Sequence, residues 1–123
     1  MPPTSGPALV VEDDASLRAY LVSELEHMGY RVVAAASGEE ALGLMKREHA
    51  SLAVLDIGLP GMDGFGVADA LGDDVPVIIV TGDPVAAYAK AYGRTMNYRV
   101  LPKPIPPELF EHAVRESDPA AAV

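Results

Sequence analysis

Five residues of this 123-residue chain have the types and spacing for chemistry, namely Glu12, Asp13, Asp56, Thr81 and Lys103. Each comes at or just past the end of an apolar run: ALVV precedes Glu12, LAVL precedes Asp56, VIIV precedes Thr81 and YRVLP precedes Lys103. Three carboxylates drawn together repel one another, and such a cluster raises at least one pKa unless a cation compensates. A hard divalent ion answers that problem. Magnesium takes oxygen ligands in an octahedron and keeps several waters, so two or three carboxylates and a backbone carbonyl suffice. Lys103 adds a fixed positive charge, and Thr81 a hydroxyl able to donate to an anionic oxygen. A central carboxylate among a metal, an ammonium and a hydroxyl suits phosphoryl transfer onto aspartate, where electrostatic stabilisation is the main contribution. Asp56, at the end of the central apolar run and before the glycine-rich IGLPGMDG loop, is the expected nucleophile.

The elements that must position these groups read as five strands alternating with five helices. Strands are expected at 8–11, 30–35, 51–56, 75–80 and 98–104. Between them, Leu17, Leu21, Leu25 and Met28 fall three or four apart, and Gly29 is placed to stop that helix. Ser37 and Glu40 form a capping-box pattern for a second helix through Ala41, Leu42, Leu44 and Met45. Shorter helices are expected around Phe65 to Leu71 and over VAAYAKAY, and a last one over PELFEHAVRES. The third and fourth strands lack polar alternation, which marks strands buried on both faces of a parallel sheet. In such sheets ligands bind beyond the carboxyl ends of the strands, and that edge is where the five residues collect.

Composition narrows the function classes. Half the residues are hydrophobic, enough for one domain with its own core. There is no cysteine, which excludes disulfides, zinc-thiolate sites and thiol catalysis. Nine basic against eighteen acidic residues give a net charge of −9, which disfavours a nucleic-acid backbone as partner. No apolar run approaches bilayer length and MPPTSG does not read as a signal peptide, so the expected location is the cytoplasm, with no membrane insertion. Neither a dinucleotide fingerprint nor a P-loop occurs. The expected organisation is a flexible lead at 1–6, one domain at 7–117 and a short frayed tail at 118–123.

Four pieces in order, LVVEDD, LDIGLPGMDG, IIVTGD and LPKP, make the chain resemble the receiver domain of bacterial two-component response regulators over nearly its whole length. The resemblance implies a doubly wound, flavodoxin-like α/β fold with strand order 2-1-3-4-5. It implies that Asp56 accepts a phosphoryl group, and that Asp13 holds magnesium directly while Glu12 does so through water. Asp56 and the carbonyl of Gly58 join that ligand set. Lys103 would pair with Asp56 and then with the phosphoryl group, Thr81 would swing toward it, and a cis bond would precede Pro104. The implied partners are a histidine kinase or histidine phosphotransfer protein and a downstream protein target. The chain would assist its own phosphorylation and dephosphorylation without conventional substrate turnover. The fifth-strand position three before the lysine, usually aromatic in the family, is Val100 here, and MNYR at 96–99 replaces the usual residues before it.

Plainer roles stand beside these. Asp56 could cap its own turn, Glu12 and Asp13 could serve only the first helix, and Asp14 could cap that helix in any case. Tyr88 and Tyr92, four apart on the fourth helix, suggest a packing seam, and that helix suggests self-association as a homodimer or partner docking. His27, His49 and His112 have no metal spacing and are expected at the surface. Val100 and MNYR motivate a second reading, a receiver-like scaffold or adaptor that works without phosphorylation. A small-molecule phosphohydrolase is a third, but Gly58 stands where its second aspartate would be needed.

Overall fold

A computed structural model describes residues 6–91 and 98–118. Strands and helices alternate as β1 (Ala8–Val11), α1 (Ala15–His27), β2 (Val32–Ala35), α2 (Gly38–Leu44), β3 (Leu52–Asp56), α3 (Gly64–Leu71), β4 (Val77–Thr81), α4 (Pro84–Ala91), β5 (Tyr98–Pro102) and α5 (Pro107–Ser117). All four strand pairings are parallel and the order is β2-β1-β3-β4-β5. This is the doubly wound arrangement expected from the sequence. Its switch in strand order lies between β1 and β3, and in open parallel sheets ligands bind beyond the carboxyl ends of the strands at such a switch.

Successive side chains on a strand point to opposite faces, and the core divides accordingly. On one face Leu9, Val11, Ala53, Leu55, Val77, Ile79 and Val100 pack under Ala41 of α2, Phe65 and Val67 of α3, and Ala87 of α4. On the other face Ala8, Val10, Leu52, Val54, Ile78, Val80 and Leu101 meet Leu21 and Leu25 of α1 and Phe110 and Val114 of α5. β1, β3 and β4 are buried along their whole length, which is why they carry apolar residues on both faces. Of the apolar residues read into the second helix, Ala41 and Met45 are buried and Leu44 is 51% exposed.

Helix starts follow local polar chemistry. Asp14 alone caps α1, accepting from the N–H groups of Ser16 and Leu17, so Glu12 and Asp13 are not used as caps. Ser37 accepts from the Glu40 N–H, as the capping box requires, but Glu40 reaches back to the N–H of Ala36 rather than Ser37. Asp63 caps α3 and Asp83 accepts from Ala86 N–H at the start of α4. α5 begins with Pro107 at a position whose N–H no helix carbonyl would use.

Asp118, expected in a frayed tail, is 6% exposed, and its carboxylate accepts a hydrogen bond from the Tyr30 hydroxyl at 2.5 Å. The rest of the expected lead and tail, residues 1–5 and 119–123, falls outside the described residues, as do Tyr92 and the first two residues of MNYR. His27, His49 and His112 lie at the surface. Among the described residues no helix is long and apolar enough to cross a membrane.

Candidate functional site: an acidic cluster at the carboxyl edge of the sheet

Parallel pairing brings the ends of neighbouring strands level, so residues far apart in sequence arrive at one edge. Glu12 follows β1 and continues its ladder, its N–H donating to the Ala35 carbonyl at 3.0 Å. Asp56 ends β3 and pairs in register with Val80, one residue before Thr81 at the end of β4. The Lys103 N–H donates to the Thr81 carbonyl at 2.8 Å, which ties the segment after β5 to the same edge. The bond between Lys103 and Pro104 is cis, as the resemblance implied.

Oxygens of Glu12, Asp13 and Asp56 lie within 4.8 Å of one another. Glu12 is fully buried and Asp56 is 6% exposed, whereas Asp13 is open to solvent. Lys103 Nζ stands between the two buried carboxylates, 3.0 Å from Glu12 Oε1 and 3.2 Å from Asp56 Oδ2. The other oxygen of each carboxylate is also held. Glu12 Oε2 accepts from the Asp14 N–H at 3.1 Å, and Asp56 Oδ1 accepts from the Gly58 N–H at 3.0 Å. Thr81 is buried, and its hydroxyl oxygen accepts from the Asp83 N–H at 3.0 Å.

The electrostatics are those of a crowded anionic site with one counter-charge inside it. Burial pushes the Glu12 carboxyl above its ordinary value and the Asp56 charge pushes it further, while the Asp14 N–H and Lys103 act in the opposite direction. Burial alone would lower the Lys103 ammonium, but its contacts with Glu12 and Asp56 outweigh that and raise it. Lys103 is therefore a fixed cation. The donor set fits magnesium: the clustered groups are hard carboxylate oxygens, and the exposed Asp13 leaves one side accessible for an ion and its waters.

The loop after Asp56 is shaped by close approach. A Cβ on Gly64 would come 2.6 Å from the Asp56 carbonyl oxygen, so α3 can start against the end of β3 only with glycine there. Gly61 turns the loop with a φ of +72°.

Of the side chains named from the sequence, the structure brings the charged groups of Glu12, Asp13, Asp56 and Lys103 together; Thr81 is tied to the same edge through its backbone, and Gly58 meets Asp56 through its N–H. Sequence reasoning missed three contacts. Lys103 meets Glu12 as well as Asp56; Arg18 Nη1 donates to the Glu12 carbonyl at 2.8 Å; and a seam joins α3, α4 and β5. In that seam Phe65 and Tyr98 stack with centroids 5.9 Å apart and planes 11° from parallel. Lys90 lies 5.8 Å from the Phe65 centroid and 3.4 Å from Asp63 Oδ2. Tyr98 thus shares a face with Val100 without an intervening bulge, and the Tyr88 hydroxyl donates to the Val100 carbonyl at 3.4 Å. Tyr88, expected to pack with Tyr92, is 59% exposed, and nothing local hinted at the Phe65–Tyr98 stack or the Arg18 contact.

The model of the response regulator receiver domain family matches residues 8–115. The chain belongs to that family. As a receiver it is a phosphoryl-accepting module of two-component or phosphorelay signalling. Among curated proteins, a probable transcriptional regulator ycf27 of Porphyridium aerugineum is 49% identical over 75 residues, covering 59% of this receiver and 31% of that protein. The two-component response regulator PhoP of Pseudomonas aeruginosa is 43% identical over 76 residues, covering 59% of the receiver and 34% of PhoP. The matched segment is thus about a third of these relatives' length. Among solved structures, the signal receiver domain of an HD domain-containing protein from Pseudomonas fluorescens superposes with a TM-score of 0.83 at 24% identity, covering 97% of this chain and 98% of that one. A CheY-like receiver from Methanospirillum hungatei gives 0.77 at 28% identity over 97% and 98%. The receiver of the Pseudomonas aeruginosa sensor kinase PA1611, described with magnesium in its active-site cleft, gives 0.77 at 23% over 94% and 99%.

Proposed function

We propose that Asp56 is the phosphoryl acceptor of this receiver and that Glu12, Asp13, Asp56 and the Gly58 carbonyl hold a magnesium ion beside it. The observation that carries this reading is the Asp56 carboxylate itself. It ends a buried strand, yet it is held on one oxygen by the Lys103 ammonium and on the other by the Gly58 N–H, beside two further carboxylates. The magnesium described in the PA1611 receiver supports the choice of ion. When bound, the ion would neutralise charge on phosphoryl oxygens.

The chain's own residues then divide the work. A carboxylate oxygen of Asp56 attacks phosphorus while the bond from phosphorus to the donor nitrogen breaks, and that nitrogen leaves with its electron pair. Lys103 orients Asp56 beforehand and transfers its charge contact to the new phosphoryl oxygens. The Thr81 hydroxyl, which now accepts from the Asp83 N–H, has its own proton available to donate to one of those oxygens. The donor is a phosphohistidine of a histidine kinase or histidine phosphotransfer protein. The product state shifts the surface of α4, the loop before it and β5 toward binding a downstream protein, a face on which Val85 and Tyr88 are exposed.

The test is the intact mass after treatment with a small acyl phosphate and magnesium. The parent should gain the mass of one phosphoryl group and Asp56→Asn none. Equal gain in both rejects Asp56 as acceptor, and no gain in the parent supports the phosphorylation-independent scaffold.

A further inference from the structure

Glu12 is held at every polar atom. Its N–H goes to Ala35, Oε2 accepts from Asp14, Oε1 meets Lys103, and its main-chain carbonyl accepts from Arg18 Nη1 at 2.8 Å. That carbonyl belongs to the peptide unit joining Glu12 to Asp13. Because the unit is planar, fixing its oxygen fixes the direction in which the chain enters Asp13. The next residue is fixed too, since Asp14 caps α1 through the N–H groups of Ser16 and Leu17. Asp13 therefore sits between two anchored neighbours. Its own carboxylate is exposed and, among the described residues, makes no hydrogen bond, so its place within 4.8 Å of Glu12 and Asp56 depends on where the backbone sets its Cβ.

Arg18 is well placed to be such an anchor. It lies one turn into α1, and its N–H donates to the Asp14 carbonyl at 2.9 Å, so its stem rises from the rigid base of the helix. Its guanidinium also brings positive charge close to a site suited to a cation. By charge alone that opposes metal binding. The geometry points to a role that works against this electrostatic effect.

We propose that Arg18 is a positioning residue for divalent-cation binding: by holding the Glu12–Asp13 peptide it keeps the Asp13 carboxylate beside those of Glu12 and Asp56. This rests on the magnesium reading above. Charge and positioning predict opposite signs, which makes the role testable. If Arg18 acted only as a nearby charge, its removal would tighten magnesium binding. If it positions Asp13, removal weakens binding, by about tenfold on the scale of outer residues that orient metal ligands.

Calorimetric titration of magnesium chloride into the parent, Arg18→Met and Arg18→Lys decides between them, with circular dichroism and thermal unfolding to establish that each variant is folded. The expected order of affinity is parent, then Arg18→Lys, whose ammonium can still donate to a carbonyl, then Arg18→Met. The magnesium concentration for half-maximal phosphorylation by an acyl phosphate should rise in Arg18→Met, while the rate at saturating magnesium stays close to the parent's. An Arg18→Met protein that binds magnesium as tightly as the parent, or more tightly, overturns the positioning role. A parent that binds no magnesium overturns the metal reading itself. Should Arg18→Met fail to fold, the test rests on the charge-conserving variant. In that case Arg18→Lys, which keeps the charge and moves only the donor, decides alone: weaker magnesium binding than the parent's supports positioning, and binding as tight or tighter overturns it.

Discussion

Replacing Lys103 with methionine keeps a long unbranched stem but removes the ammonium that touches both Glu12 and Asp56. Those contacts are 3.0 and 3.2 Å long, and the two carboxylates they serve are 0% and 6% exposed. Removing one partner of a buried pair costs about 3–5 kcal/mol. Two features reduce that figure here: the Lys103 side chain is 26% exposed, so solvent already screens part of the interaction, and Glu12 can respond by taking up a proton. A loss of about 2–3 kcal/mol at neutral pH follows. With a urea slope of about 1–3 kcal/mol per molar, the unfolding midpoint should fall by about 0.7–3 M. The pH dependence has a definite sign. Burial holds the Glu12 carboxyl above its ordinary 4.5, and Lys103 works against that rise. Without Lys103 the carboxyl rises further. A carboxyl raised in the folded state takes up a proton on folding, so its folded state is favoured most below pH 4.5 and loses stability as pH rises through the folded value. The gap between variant and parent should therefore narrow as pH falls from about 7 toward 5. Urea unfolding at both pH values, without magnesium, is the assay. An unchanged midpoint, or a gap that widens in acid, would refute the reasoning.

Gly64→Ala should lower the melting temperature and slow phosphorylation. Its Cβ would meet the Asp56 carbonyl oxygen at 2.6 Å, and overpacking costs of about 1–3 kcal/mol exceed the gain of up to about 1 kcal/mol that alanine brings to a helix. A melting temperature equal to the parent's would contradict this. Tyr98→Leu should cost about 0.5–1.5 kcal/mol beyond the apolar area lost, because the stack on Phe65 disappears. A double-mutant cycle with Phe65→Leu reads that coupling, and strict additivity would remove the stack as its source. Tyr30→Phe should cost about 1.5–3 kcal/mol through its lost hydrogen bond to the buried Asp118 carboxylate. Burial, then that hydrogen bond, raise the Tyr30 phenol far above its ordinary 10.0. Its stabilising contribution is therefore complete below pH 10.0 and declines as pH rises above it, so the parent should lose more stability than Tyr30→Phe between neutral and strongly alkaline pH. Parallel alkaline unfolding curves would argue against this.

What could be read from the residues was local or repeated along the strand. VIIV and LAVL announce strands buried on both faces because they lack polar alternation, and the polar residue ending each run then has only the carboxyl edge to occupy. Ser37 and Asp14 cap helices through bonds two or three residues long, so their roles lie within a single window of sequence. The contacts that escaped are longer in range or depend on side-chain direction. Nothing near Lys103 says that its ammonium will divide itself between residues 12 and 56, because that depends on parallel strands ending level with one another. Tyr98 could be placed on the face of Val100 by alternation, but its partner Phe65 belongs to α3, and only the packing of that helix on the sheet brings the rings together. Asp118 looked like part of a loose end because the residues after it are small and apolar. Its buried bond to Tyr30 pairs positions 88 residues apart.

Every role assigned to this site depends on the carboxylate of Asp56 being the atom group that takes the phosphoryl. The most direct measurement traps that product: treat the parent with an acyl phosphate and magnesium, reduce it with borohydride, digest it and sequence the peptides by mass spectrometry. Reduction converts a phosphorylated aspartate to homoserine and leaves free carboxylates unchanged. The account predicts homoserine at position 56 and at no other aspartate. Homoserine at Asp13 instead, or a phosphorylated protein in which residue 56 remains aspartate, would contradict it.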